Sequence, residues 1–238
     1  MSEQKPLISI IIPVYNRANV FIRSLRSAVA QDYPNTEIII VDDGSEPAIT
    51  LPFELKNKNI QLYRQLNQGA GSARNFGFSK STGQYVLFWD ADLMAKPFMV
   101  SRLIKALQNN TGTSYAYSDF YLGKKLMRAK PFSGADLKKI NFISANILIK
   151  REDFYGFDIT LKKFQDWDLC LTLLEKNKTG MYVPESLFTA IPGGTMSAWL
   201  PRMAYKAPWV WLPGIRARVR QYHDARKIIA SKHHLPPA

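Results

Sequence analysis

The chain has 238 residues, 46% of them hydrophobic and 12% aromatic, enough for one substantial core and not the make-up of a disordered chain. Its net charge of +13 favours anionic partners, whether phosphate-bearing substrates, nucleic acid or an acidic membrane surface. The single cysteine, Cys170, rules out an intrachain disulfide, and its apolar helical setting reads as core rather than as a reactive thiol.

The apolar run at residues 7–15 follows one lysine and ends in Pro-Val-Tyr-Asn, so it reads as a buried strand rather than a secretory signal. Phe21, Leu25, Ala28 and Val29 then recur at helical spacing, and "DYPN" at 32–35 stops that helix. Residues 36–45 form a second buried strand ending in two acids and a glycine turn, and residues 60–65 a third. A glycine-initiated helix is expected over 69–81, followed by a fourth strand in "QYVLFWDAD". Strands alternating with helices over the first 110 residues predict an α/β fold with a mostly parallel sheet covered on both faces. In such sheets ligands bind beyond the carboxyl ends of the strands. Asn16, Asp42, Asp43, Asp90 and Asp92 stand there. Residues 114–122 alternate like a half-exposed strand, 141–152 read as another, and 165–177 as a helix with Asp166 and Asp168 in its first turn. Trp167, Leu171 and Leu174 share the face of that helix expected to anchor in the core.

One Asp at a turn is ordinary capping chemistry, but two strands that each end in a pair of acids call for more. On an extended chain Asp90 and Asp92 would point the same way about 7 Å apart. They would repel by about 0.6 kcal/mol in water, and more in a drier site, so a positive partner is expected. Hard oxygen donors suit Mg²⁺ or Mn²⁺, which bind through one or two carboxylates plus substrate phosphates; a metal-borne diphosphate is the natural guest. "GAGSAR" at 69–74 nearly matches a dinucleotide fingerprint, but Arg74 replaces the third glycine and the first strand does not precede it. Asp166 and Asp168 either complement the helix dipole, worth about 0.3–1 kcal/mol, or supply a general base that the dipole keeps ionised.

The segments "PVYNR" (13–17), "IIIVDDGS" (38–45), "NQGAGSARNFG" (67–77), "FWDAD" (88–92) and "QDWDL" (165–169) occur in the order found in family 2 glycosyltransferases. The chain resembles that family over residues 6–198. The resemblance implies an inverting enzyme of the GT-A fold that moves a sugar from a nucleotide-diphosphate donor, most commonly a UDP-sugar, to an acceptor hydroxyl. By it, Pro13, Tyr15 and Asp42 or Asp43 would hold the base and ribose, with Arg74 on the base side. Asp90 and Asp92 would be the DXD pair, Asp92 nearest the metal, and Asp166 the base. The chain departs from the family in carrying Thr189 where Arg is common, Ile191 where a His is common, and Gln165 where Glu is usual. In the segment 188–197 the glycines at 193 and 194 suit a mobile flap over the diphosphate.

On this reading residues 1–198 are the transferase domain, with a nucleotide-binding half at 1–110 and an acceptor-binding half at 111–198. Residues 199–238 form a basic tail, holding eight Lys or Arg against the one acid Asp224. Within the tail Ile215, Val219, Tyr222 and Ile229 share a helical face, with Arg216, Arg220 and Lys227 on another and Trp209 and Trp211 nearby. That pattern fits either an interfacial helix on an anionic leaflet or a helix packed on the domain. His223, His233 and His234 show no metal-ligand spacing. No stretch reaches the ~18–20 apolar residues of a spanning helix. A cytoplasmic protein, at most peripheral on the inner membrane face and acting on a glycan or lipid-linked glycan of cell-surface polysaccharide synthesis, is expected. Three other readings compete. A nucleic-acid-binding module would put basic residues where this chain puts acids. A sugar nucleotidyltransferase would carry a Gly-rich basic loop after the first strand. A catalytically weakened homologue that binds nucleotide sugar or acts as a scaffold draws its support from Ile191.

Overall fold

The structure, a computed structural model, describes residues 5–56, 59–193 and 213–235. Four parallel strands build its first half: β1 (Ile8–Val14), β2 (Thr36–Asp42), β3 (Ile60–Arg64) and β4 (Tyr85–Phe88). The helices α1 (Ala18–Val29) and α2 (Ala70–Lys80) join them. Then come β5 (Leu93–Ala95), α3 (Met99–Asn109), β6 (Tyr115–Leu122), β7 (Lys125–Met127), the short α4 (Gly134–Leu137) and β8 (Leu148–Lys150). The helix α5 (Gln165–Glu175), β9 (Gly180–Ala190) and α6 (Pro213–Lys232) complete the order. All nine strands form one sheet in the order β3-β2-β1-β4-β8-β6-β9-β5, with β7 on β6.

The strand period of two explains why β1 and β2 read as unbroken apolar runs. Ile8, Ile10 and Ile12 enter one core together with Phe21 and Leu25 of α1 and Leu103 and Leu107 of α3. Ile11, Ile39 and Val41 enter the other, with Ala73 of α2 and Trp167 and Leu171 of α5. On that second face α2 approaches closely: a β-carbon at Gly77 would lie 2.5 Å from Ile11 Cγ2.

The parallel sheet expected of the first half is present. Past β4 the sheet is mixed, since β8 runs antiparallel to both β4 and β6. Two expectations are corrected. Residues 141–152 form a strand only at Leu148–Lys150, because the preceding loop delivers the Asn146 side chain to Asp90. The strand at 115–122 is buried over its first five residues rather than half-exposed, because it lies between β8 and β9. Residues 188–190 belong to β9; Gly193 follows with φ +102°, while Gly194 to Ser197 lie outside the described residues. The interior Pro184 had hidden β9. It sits where the pairing with β6 slips from Ser118–Val183 to Asp119–Ser186, and such a bulge is where a strand tolerates a residue with no N–H to give.

Candidate active site

Three strand exits and one helix start build the site. At the exit of β1, Asn16 takes a positive φ of 50° and pins this turn to the next. Its N–H donates to Ser45 Oγ at 3.0 Å, and its side-chain oxygen accepts from Glu46 N–H at 2.8 Å. Pro13 is buried within β1, and Tyr15 is exposed just beyond it.

At the exit of β2 both acids are buried and both are engaged by the backbone. Asp42 accepts from the N–H of Ser45 (2.9 Å) and Ile49 (3.1 Å). Asp43 accepts from the N–H of Gln68 (2.9 Å) and Gly69 (2.8 Å) and from the Gln65 side chain (2.8 Å). Asp42 ties the loop that follows β2 and Asp43 the loop that begins α2, where Gly69 has φ +89°, a backbone that favours glycine. The turn-building role that looked insufficient from the sequence is therefore made for this pair.

The pair after β4 differs. The chain turns there, with Leu93 N–H donating to Asp90 O at 3.0 Å, so Asp90 and Asp92 are not side by side on an extended strand. Each has its own guanidinium, and these supply the positive charge their repulsion calls for. Arg74 Nη2 donates to Asp90 Oδ1 and Arg17 Nη1 to Asp92 Oδ2, both at 2.6 Å. Asn146 brackets Asp90, accepting from its N–H at 2.9 Å and donating to Oδ2 at 3.1 Å. Burial first, and then the Asp90 charge, push the Asp92 carboxyl up to about 6 against the pull of Arg17.

Asp166 opens α5 from a left-handed Phe164. Its carboxylate accepts from its own Trp167 N–H at 2.9 Å and from the Asn141 side chain. Burial nevertheless raises its pKa above the ordinary carboxylate value, outweighing those hydrogen bonds and the Arg74 charge. That is the reverse of the shift the helix dipole alone would give. The buried Arg74 joins the two ends of the site. Besides Asp90 it reaches Gln165 Oε1 at 3.4 Å and lies over the Phe157 ring at 5.1 Å, while its Nε is buried without a hydrogen-bond partner. Gln165 in turn donates to Leu161 O at 2.8 Å, which a Glu at this position could not do.

Asp168 belongs elsewhere. It is buried on the rear of α5, where His233 Nε2 and Lys232 Nζ of the α6 end approach it, each at 2.8 Å. His233 Nδ1 also meets Glu175 Oε1 at 2.8 Å. With Ile229 buried and Tyr222 edge-on to Phe164, α6 is packed on the domain. Its Arg216, Arg218, Arg220 and Lys227 are exposed. Trp199, Trp209 and Trp211 lie outside the described residues. Sequence reasoning missed Arg17, Asn141, Asn146 and His233. Of these only Arg17 had a signal, its place directly after a strand exit.

As for a metal, both oxygens of Asp90 have partners, and no group of three or more acids, His or Cys among the described residues could hold an ion. Ile191 contributes only its N–H, donated to Asp92 O at 3.0 Å. Asp92 engages Arg17 through Oδ2 alone, which leaves Oδ1 as the carboxylate oxygen of the pair with no hydrogen bond from another residue among the described residues. That suits a Mg²⁺ or Mn²⁺ held mostly by substrate phosphates and water, not an all-protein cage.

The model of the family described as Glycosyl transferase family 2 matches residues 9–156. An uncharacterized glycosyltransferase of Haemophilus influenzae is 32% identical over 184 residues, covering 73% of this chain and 74% of its own length. One of Rickettsia bellii is 38% identical over 141 residues, covering 56% of this chain; the match spans only 20% of that longer protein. Among solved structures, S. aureus TarS in complex with UDP-GlcNAc superposes with a TM-score of 0.66 at 18% identity, over 81% of this chain and 61% of that one. The mannosyltransferase PcManGT from Pyrobaculum calidifontis, in complex with GDP-Man and Mn²⁺, gives 0.63 at 18%, over 83% and 60%. The mixed, curled sheet with its flanking helices is thus the GT-A arrangement, and the chain belongs to glycosyl transferase family 2.

Proposed function

We propose that the protein is an inverting glycosyltransferase that moves a sugar from a nucleotide-diphosphate donor, a UDP-sugar first among candidates, to a hydroxyl of a glycan or lipid-linked glycan. The observation that carries this reading is the bridge made by Arg74, which links Asp90 after β4 to Gln165, the neighbour of Asp166. Through that bridge the donor end and the acceptor end are built as one unit.

In this reading Pro13 and Tyr15 flank the nucleoside, Asp42 and Asp43 shape its wall through the loops they tie, and Arg74 and Asp90 complete it. The half at 1–110 serves the donor and that at 111–198 the acceptor. Asp166 takes the proton of the incoming hydroxyl as the bond to the sugar forms; its raised pKa brings its basicity nearer the working pH. Attack from the face opposite the leaving diphosphate inverts the anomeric centre. A divalent ion, Mn²⁺ or Mg²⁺, would be held by Asp92 and would stabilise charge on the leaving group. PcManGT, a neighbour in fold, was crystallised with Mn²⁺, and TarS with UDP-GlcNAc. The exposed arginines of α6 suit an anionic membrane surface carrying a lipid-linked acceptor, on the cytoplasmic side. No helix among the described residues is long and apolar enough to cross a membrane.

The test is a panel of UDP- and GDP-sugars with Mn²⁺, read as released nucleoside diphosphate. Release from one donor, lost in Asp166→Asn, is expected. No release and no binding with any donor would overturn the reading.

A further inference from the structure

Two chain segments meet Asp92, and among the described residues they bring a single cation. Arg17, at the N-terminal end of α1, spends one of its five N–H donors on Asp92, and no other hydrogen bond to its guanidinium occurs among the described residues. The side chain is 22% exposed and borders an open cleft of about 390 Å³ together with Asn16, Asn19, Glu46 and Pro47. From the opposite side comes the exit of β9: a β-carbon at Gly193 would lie 4.0 Å from Arg17 Nη2. There Ile191, aliphatic, sits hydrogen-bonded to the Asp92 main chain. An ion pair this far out of water loses hydration of both charges, which offsets much of its attraction, so stability alone is a weak reason for it. The planar fork of a guanidinium also matches phosphate oxygens, and a diphosphate offers it more negative charge than one carboxylate does.

We propose that Arg17 is a ligand of the donor diphosphate. Without donor its guanidinium rests on Asp92; donor entry draws it across to the phosphate oxygens and frees that carboxylate. This rests on the donor-binding reading above. Its consequence is a component of nucleoside-diphosphate affinity that needs no metal and belongs to Arg17.

The experiment is calorimetric titration of the full chain with UDP and UMP, and with GDP and GMP, each in EDTA and in Mn²⁺. In EDTA the wild type is expected to prefer the diphosphate over the matching monophosphate by about tenfold, the scale of one charge-assisted contact. Arg17→Ala and Arg17→Gln lose that preference, and Arg17→Lys keeps part of it. Asp92→Asn, which releases the guanidinium, should strengthen diphosphate binding in EDTA when Arg17 is present and much less in Arg17→Ala/Asp92→Asn, a coupling that loss of the negative charge alone would not produce. Circular dichroism checks that each variant is folded. If the wild type binds diphosphate only with Mn²⁺, or the Arg17 variants keep the preference in EDTA, the inference is overturned while the donor reading stands. If the wild type binds neither nucleotide in either buffer, the donor reading itself falls.

Discussion

Asp166 and Asp168 lie two residues apart in the first turn of α5, yet the fold gives them opposite surroundings. At 100° per residue they point about 200° apart, one toward the strand exits and the other toward the rear of the domain. Asp166 meets neutral donors, Asn141 and the Trp167 N–H, and feels Arg74 only at a distance, so burial wins and its pKa rises. Asp168 is as deeply placed but is clasped by Lys232 and His233, with Glu175 on the other ring nitrogen. A carboxylate left without an ion-pair partner is available to take a proton; one held by two donors is a fastening. What separates the proposed base from the fastening on this helix is therefore the partners, not the residue type or its spacing.

The largest expected effect breaks the front of this comparison. Asp166→Asn should lower transfer by about 10³-fold, the usual share of a positioned base, while donor affinity stays within about twofold. Initial rates and calorimetry on the same preparation measure both. Asp168→Ala should leave chemistry nearer intact but cost about 3 kcal/mol of stability, because His233 is left buried without its partner. Denaturant midpoints, with hydrogen exchange over α6, would register this, and an unchanged α6 would mean the clasp is not what docks it.

A pH dependence sharpens the rear side. Burial alone would lower the His233 pKa, but the hydrogen bonds to Asp168 and Glu175 outweigh it and hold the pKa above the ordinary 6.5. Lys232 beside it opposes protonation. The stability contributed by charged His233 is thus complete below about pH 6.5 and is lost as pH rises through the higher folded value. Melting temperature should decline over that interval, and His233→Gln should flatten the decline. The smallest effect belongs to the outer face of α6. Arg220→Ala removes an exposed pair with Asp224 and should change stability by less than about 0.5 kcal/mol.

Much of the donor side was legible in sequence because its signals are local. The runs of β1 and β2 announce a sheet buried on both faces, and acids after a strand end must lie at its carboxyl edge. The assignment of a charge partner was not legible. The repulsion at Asp90 and Asp92 demanded a cation, and a metal was the natural guess, yet Arg74 and Arg17 come from 16 and 75 residues away. Likewise the sequence placed Asp42 and Asp43 at a strand exit but could not show that the N–H groups of Ser45, Ile49, Gln68 and Gly69 donate to them.

By itself, then, the sequence determined the alternating strands and helices, the edge of the sheet where chemistry gathers, and the acids placed there. Periodicity and strand direction carry that information, and both act over a few residues. Only the tertiary structure decided which acid meets which cation, that Asp166 meets Asn141 while Asp168 meets the end of α6, and that α6 packs back on the domain. Those outcomes depend on contacts between residues distant in the chain, whose energies are set by burial and distance in three dimensions rather than by neighbours in sequence.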